Sequence, residues 1–163
     1  MWRVLAILGG VSGAVALSQF PEFSQQYLQR LGGKVDALTA VAAQFDATAG
    51  ANGLTREAAL AALTGSAVLE GQQADMRATL DLQAALADNL AVLRAAGPLE
   101  RLTMPQRLGD TDTLRATWAD FRPALPVTSE GAITAGFGYV GGWGVVSLMG
   151  GLLARLFGRR RAR

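Results

Sequence analysis

Residues Gly131 to Ala154 form 24 consecutive positions without a charge, and five arginines follow within the next nine. A transmembrane helix needs roughly 20 mainly apolar residues, so this run is long enough to cross a bilayer. Glycine recurs in it at Gly136, Gly138, Gly141, Gly142, Gly144, Gly150 and Gly151. In water that composition weakens a helix. In lipid the backbone must satisfy its own hydrogen bonds, so helix remains the best conformation. The first expectation is therefore a transmembrane helix over 131–154 and a basic tail over 155–163.

A second uncharged run, Val4 to Phe20, has 17 residues, at the lower limit for a span. It reads as a transmembrane helix or signal-anchor over 4–20. The alternative is a cleaved signal peptide, with Ala14-Val15-Ala16 as the small-x-small site. Leu17 to Pro21 continues without the polar region expected before cleavage, which favours a retained helix.

Charge sets the orientation. All 13 acidic residues lie between Glu22 and Glu130, where nine basic residues leave a net charge of −4. The flanks carry Arg3, Arg155, Arg159, Arg160, Arg161 and Arg163, +6 without an acid. Basic flanks stay cytoplasmic. Both termini are thus expected on the cytoplasmic side of the cell membrane, with the 21–130 domain outside. Gly9-x-x-x-Gly13 and Gly138-x-x-x-Gly142 are spacings that let helices approach closely in lipid. They suit packing of the two spans on each other, self-association as a homo-oligomer, or contact with another membrane protein.

The middle reads as all-helical. Pro21 fits the first turn of a helix running from about Glu22 to Ala47. Leu28, Leu31, Val35, Leu38, Ala42 and Phe45 form a heptad seam along it, as in a coiled coil. Ala49 to Gly53 has turn chemistry. Thr55 is the expected N-cap of a short helix to about Leu63, with Glu57 in its first turn. Gly65-Ser66 breaks the chain before a long helix from about Ala67 to Ala95, ended by Gly97-Pro98. On it Met76, Leu86, Leu90 and Leu93 keep heptad phase, Thr79 and Gln83 interrupt, and Leu80 and Leu82 lie off the seam. The two long helices should pair antiparallel, with Phe45 near Met76 and Leu28 near Leu93. Leu99 and Leu102 begin a further amphipathic piece interrupted near Pro105. Asp110 or Thr111 caps a last helix with Leu114, Trp118 and Phe121 on one face, ended by Pro123 and Pro126. The fold class is all-α: two transmembrane helices flanking an extracytoplasmic helical hairpin or bundle. The heptad stripe is read as the core of that hairpin, with an exposed docking seam as its rival.

The residue inventory narrows the chemistry. The chain has no Cys and no His, which removes Cys- or His-based metal sites and Ser-His-Asp or Cys-His catalysis. No catalytic, cofactor-binding or metal-binding residue is assigned, and no enzyme activity is expected. Asp110-x-Asp112 is the closest acidic pair, and reads as an N-cap with a first-turn acid in preference to a metal site. The acidic middle argues against nucleic acid. The expected partners are the lipid bilayer, with anionic lipids near Arg155–Arg163, and a membrane or envelope protein.

Three stretches carry a family resemblance: Leu17-Ser-Gln-Phe-Pro-Glu-Phe-Ser-Gln-Gln-Tyr-Leu-Gln-Arg-Leu-Gly-Gly33, Gly71-Gln-Gln-Ala-Asp-Met-Arg-Ala-Thr-Leu80, and Phe121-Arg-Pro-Ala-Leu-Pro-Val-Thr-Ser-Glu-Gly131 leading into the glycine-rich span to Gly144. Through them the chain resembles, over essentially its whole length, the bacterial membrane proteins grouped as DUF2937, a domain of unknown function. The resemblance implies an inner-membrane protein without an assigned activity and carries over no site residues. Two functions are therefore expected to compete: a non-enzymatic module for protein interaction or envelope organisation, and an accessory subunit of a transporter or channel. Neither span carries an ionisable residue of the kind that marks a transport path, which favours the first.

Overall fold

The computed structural model describes residues 2–123 and 128–158. Pro126 and the arginines Arg159, Arg160, Arg161 and Arg163 lie outside these residues. Among the described residues seven α-helices follow one another: α1 Trp2–Ser18, α2 Phe20–Ala51, α3 Arg56–Ala62, α4 Ala67–Ala95, α5 Pro98–Arg101, α6 Thr111–Ala119 and α7 Ser129–Gly158, with a 3-10 turn at Pro105–Leu108. Among the described residues there is no strand, as the helical periodicity required. Also among the described residues, two helical stretches, Trp2–Ala51 and Ser129–Arg155, are long and apolar enough to cross a membrane.

The chain divides into two compact units. One comprises Met1–Gln26, Pro98–Pro105 and Trp118–Arg163; the other comprises Tyr27–Gly97 and Gln106–Thr117. In the first unit α1 and α7 lie side by side. Their contacts run in opposite order: Trp2 against Gly150, Gly9 against Gly142, Gly13 against Gly138. The pair is therefore antiparallel. Its outer surface is strongly apolar, with Val4, Leu8, Val15, Phe137, Val140, Val145, Leu148 and Leu152 exposed. In water so large an apolar surface would be a liability.

A single residue, Gln19, separates α1 from α2. Pro21 explains the break, because it has no N–H to give the carbonyl four residues back. The chain tightens there, with the Gln19 N–H donating to the Ala16 carbonyl at 3.3 Å, and regains helical bonding when Phe23 donates to Gln19 at 2.9 Å. Proline thus sits in the first turn of α2, as expected, but α2 begins two residues earlier than the pattern suggested.

The second unit is built on the heptad seam. Leu28, Leu31, Val35 and Ala42 are buried, and the seam continues to Ala49, also buried. Leu38 and Phe45 are half-buried. Opposite them on α4, Leu80, Leu86, Leu90 and Leu93 are buried. Ala42, Leu60 and Leu80 form one cluster, with Phe45 and Met76 packed against it. The Gln83 amide donates to the Thr39 hydroxyl at 3.1 Å. A Cβ on Gly32 would meet the Arg94 guanidinium. Contacts that climb α2 thus descend α4, and Phe45 shares a cluster with Met76 as expected. Leu80 belongs to that core although it falls off the heptad phase, because α3 supplies Leu60 as a third wall.

Capping sets the boundaries of these helices. Ala49 to Ala51 are helical rather than turn residues. The turn follows, with Leu54 N–H donating to the Ala49 carbonyl and Gly53 N–H to that of Gly50. That bonding is a Schellman motif, and Gly53 takes the left-handed conformation it requires, at φ 69°. The Thr55 hydroxyl caps α3 by accepting from Ala58 N–H, and Ser66 caps α4 by accepting from Leu69 N–H. On α6 the expectation fails. Trp118 is 74% exposed and Leu114 37%, while Thr113 and Thr117 are the buried residues. Their hydroxyls are satisfied locally, Thr113 by Asp110 and Thr117 by the Thr113 carbonyl, so a polar face can be buried at little cost. Phe121 lies beyond the end of α6 and meets Phe23 edge to face at 5.6 Å; Phe23 also meets Trp118 at 5.9 Å.

Candidate functional site

The closest helix contact of the first unit is built from glycine. A Cβ placed on Gly138 would lie 2.0 Å from the Gly13 carbonyl oxygen, and one on Gly142 would lie 2.1 Å from that of Gly9. Conversely, a Cβ on Gly13 would lie 2.2 Å from the Gly138 oxygen. Ordinary van der Waals contact needs 3.4–4 Å, so only glycine permits this backbone approach. Both four-residue glycine spacings read from the sequence are engaged, one against the other. The contact between α1 and α7, one of their three candidate uses, is present in the fold. Gly10 faces the Tyr139 ring, and Gly150 the Trp2 ring. Because the pair is antiparallel and Trp2 meets Gly150, Arg3 and Arg155 lie at the same end of it.

The second unit holds a polar cluster instead. Asp110 caps α6, accepting from the Thr113 N–H at 3.1 Å and from the Thr113 hydroxyl. The same carboxylate accepts from the Lys34 ammonium at 2.9 and 3.0 Å. The Asp110 N–H donates to the Tyr27 hydroxyl at 3.3 Å. Burial pushes the Asp110 carboxyl up, but the hydrogen bonds from Thr113 and Lys34 outweigh it and hold the group below the ordinary carboxylate range. Desolvation raises Tyr27, and that effect dominates. Asp112 is exposed and 3.9 Å from the Lys34 nitrogen. The Asp110-x-Asp112 pair is thus a cap and a first-turn acid, the plainer of its two readings.

This cluster fastens α6 to α2. Its members are joined to one another by these hydrogen bonds. Among the described residues, no three His, Cys, Asp or Glu gather as a metal site would need, and every buried side-chain polar atom has a hydrogen-bond partner. Lys34 and Tyr27 carry no sequence signal for this role, since their partner lies 76 and 83 positions away. A second tie, from Arg107 to Asp88 and Asn89 at 2.9 and 2.8 Å, joins the 3-10 turn to α4. Surface ion pairs join Arg56 to Asp46 and Arg77 to Glu57; such pairs add little stability each.

A family model described as a protein of unknown function, DUF2937, matches residues 1–159. No curated protein and no solved structure matches the chain.

Proposed function

The chain belongs to the DUF2937 family, and on that premise we propose a non-enzymatic inner-membrane protein whose helical hairpin works in the periplasm as a protein-interaction or envelope-organising module. In this reading α1 and α7 cross the bilayer together, and both termini are cytoplasmic. The observation that carries it is the antiparallel glycine contact, which puts Arg3 and Arg155 at one end of the pair. Two antiparallel spans with their basic residues at one end satisfy the positive-inside rule and leave the acidic 21–130 segment outside. The seating of Gly9 and Gly13 against α7 supports retention of the first helix after synthesis, since cleavage near Ala16 would strip α7 of its partner.

The hairpin also supports an interaction role. Its seam is occupied by its own helices, while Val41, Val68, Leu69 and Leu82 remain exposed. These positions are where a partner would gain apolar contact. Photo-crosslinkers placed at Val68 and Leu82 in living cells test the reading. It requires a crosslink to an envelope or membrane protein from at least one position. A stoichiometric transporter or channel subunit would establish the accessory-subunit alternative, and no crosslink from either would remove the interaction role.

A further inference from the structure

Seven glycines of α7 fall into two environments. Gly138, Gly142 and Gly150 meet α1, whereas a Cβ on Gly136, Gly141, Gly144 or Gly151 would meet nothing within 4 Å. Gly144, Ser147 and Gly151 follow at spacings of three and four, which places them on one helix face. The missing side chains leave a groove of about 390 Å³, walled by Trp143, Leu148 and Leu152 and reaching Arg155. An adjoining groove of about 520 Å³ shares Trp143, Ser147 and Gly151, and is bounded on α1 by Trp2, Arg3 and Ile7. Each groove is apolar along its length and has an arginine in its lining. Among the described residues no acidic residue lines either.

We propose that this end of the α1/α7 pair binds an anionic phospholipid, with an acyl chain along Trp143, Ser147 and Gly151 and the phosphate held by Arg3 and Arg155. The proposal rests on the reading that α1 and α7 span the bilayer. Charge complementarity selects the occupant. A guanidinium offers paired N–H donors in the geometry of a phosphate, and two of them without a neighbouring carboxylate favour a net negative headgroup. A side-open apolar groove suits a flexible chain. Tryptophan favours the boundary between hydrocarbon and headgroup, and Trp2 lies next to Arg3. The site deepens general attraction of a basic tail to the membrane surface into a discrete pocket.

Fluorescence quenching separates the claims. In full-length Trp118→Phe protein, Trp2 and Trp143, both lining the groove, are the remaining tryptophans. The protein is reconstituted in phosphatidylcholine vesicles containing either brominated phosphatidylcholine or brominated phosphatidylglycerol. The expected result is quenching by both, with the anionic lipid preferred on the order of tenfold at low salt, and less as salt rises. Arg3→Gln with Arg155→Gln should abolish the preference. Gly151→Leu should abolish it too by filling the groove, at a position where a Cβ meets no neighbour within 4 Å. Equal quenching by the two lipids overturns the site while leaving the spans. A preference that survives Gly151→Leu overturns the groove in favour of diffuse attraction. Dimer crosslinks from Leu148→Cys that are insensitive to lipid would give the groove to a second copy. No quenching by either lipid would overturn the membrane-spanning reading, and the site with it.

Discussion

Replacing Gly138 with alanine is the smallest change that should separate α1 from α7. The new Cβ would lie 2.0 Å from the Gly13 oxygen, 2.5 Å from its carbonyl carbon and 2.9 Å from the Ala14 nitrogen. All three are backbone atoms, so no side chain can swing aside, and reaching 3.4 Å requires the helices to part by more than 1 Å locally. A gap of about 0.5–1 Å forfeits a quarter to a half of each dispersion contact. Between helices in lipid there is little hydrophobic drive to replace it. Overpacking of this kind costs about 1–3 kcal/mol, roughly five- to 150-fold in the closed-to-open equilibrium. Gly141→Ala is the control, because its Cβ meets nothing within 4 Å while the change in helix propensity is the same. In a Trp143→Phe background, bimane on Ala154→Cys reports the contact through quenching by Trp2, which lines the same groove, and the chain has no other cysteine. Titration with dodecyl sulfate should release quenching at lower detergent in Gly138→Ala than in wild type or Gly141→Ala. Equal midpoints for the two alanine variants would refute the glycine contact as the source of the pairing.

Two further outcomes follow from the second unit. Leu31 is 0% exposed, so Leu31→Ala should cost about 2–5 kcal/mol in thermal unfolding followed by circular dichroism, whereas exposed Leu82→Ala should stay within about 0.5 kcal/mol. Asp110→Ala removes a helix cap and the Lys34 pair, and should cost about 1–3 kcal/mol by the same measurement. Asp110→Asn keeps the cap and isolates the charge. Because the folded carboxyl lies below its ordinary value, its charged form stabilises the fold at neutral pH. That contribution begins to fade below the unfolded value of about 3.9 and is gone once pH falls through the folded value. The stability gap between wild type and Asp110→Asn should be constant from about pH 5 to 8 and shrink below about pH 4.

Most helices were legible because their signals are local. Thr55 and Ser66 cap the helices they precede, and the Ala67–Ala95 limits follow from Ser66 and from Gly97-Pro98. The α2 seam was legible because the heptad repeat maps directly onto one buried face. Legibility ended where a third element intervened. Leu80 breaks the heptad phase on α4, yet α3 brings Leu60 to it. On α6, the apolar residues Leu114 and Trp118 suggested the buried face, but Asp110 and Lys34 turn the threonine face inward. That choice depends on a pairing 76 residues apart, which no periodicity encodes. The turn at Gly53 was placed correctly, but the residues before it stay helical, because a Schellman cap lets the helix run up to its glycine. The glycine spacings announced a close helix contact, while the partner became visible only with α7 beside α1.

The account rests on α1 and α7 crossing the membrane with the acidic middle outside, and accessibility labelling tests this directly. Gly50→Cys sits at the far end of α2, where a side chain meets nothing within 4 Å; Arg163→Cys sits in the basic tail. In intact cells a membrane-impermeant maleimide should label Gly50→Cys, and should label Arg163→Cys only after the membrane is opened. Labelling of Arg163→Cys in intact cells, with Gly50→Cys protected until lysis, would contradict the orientation.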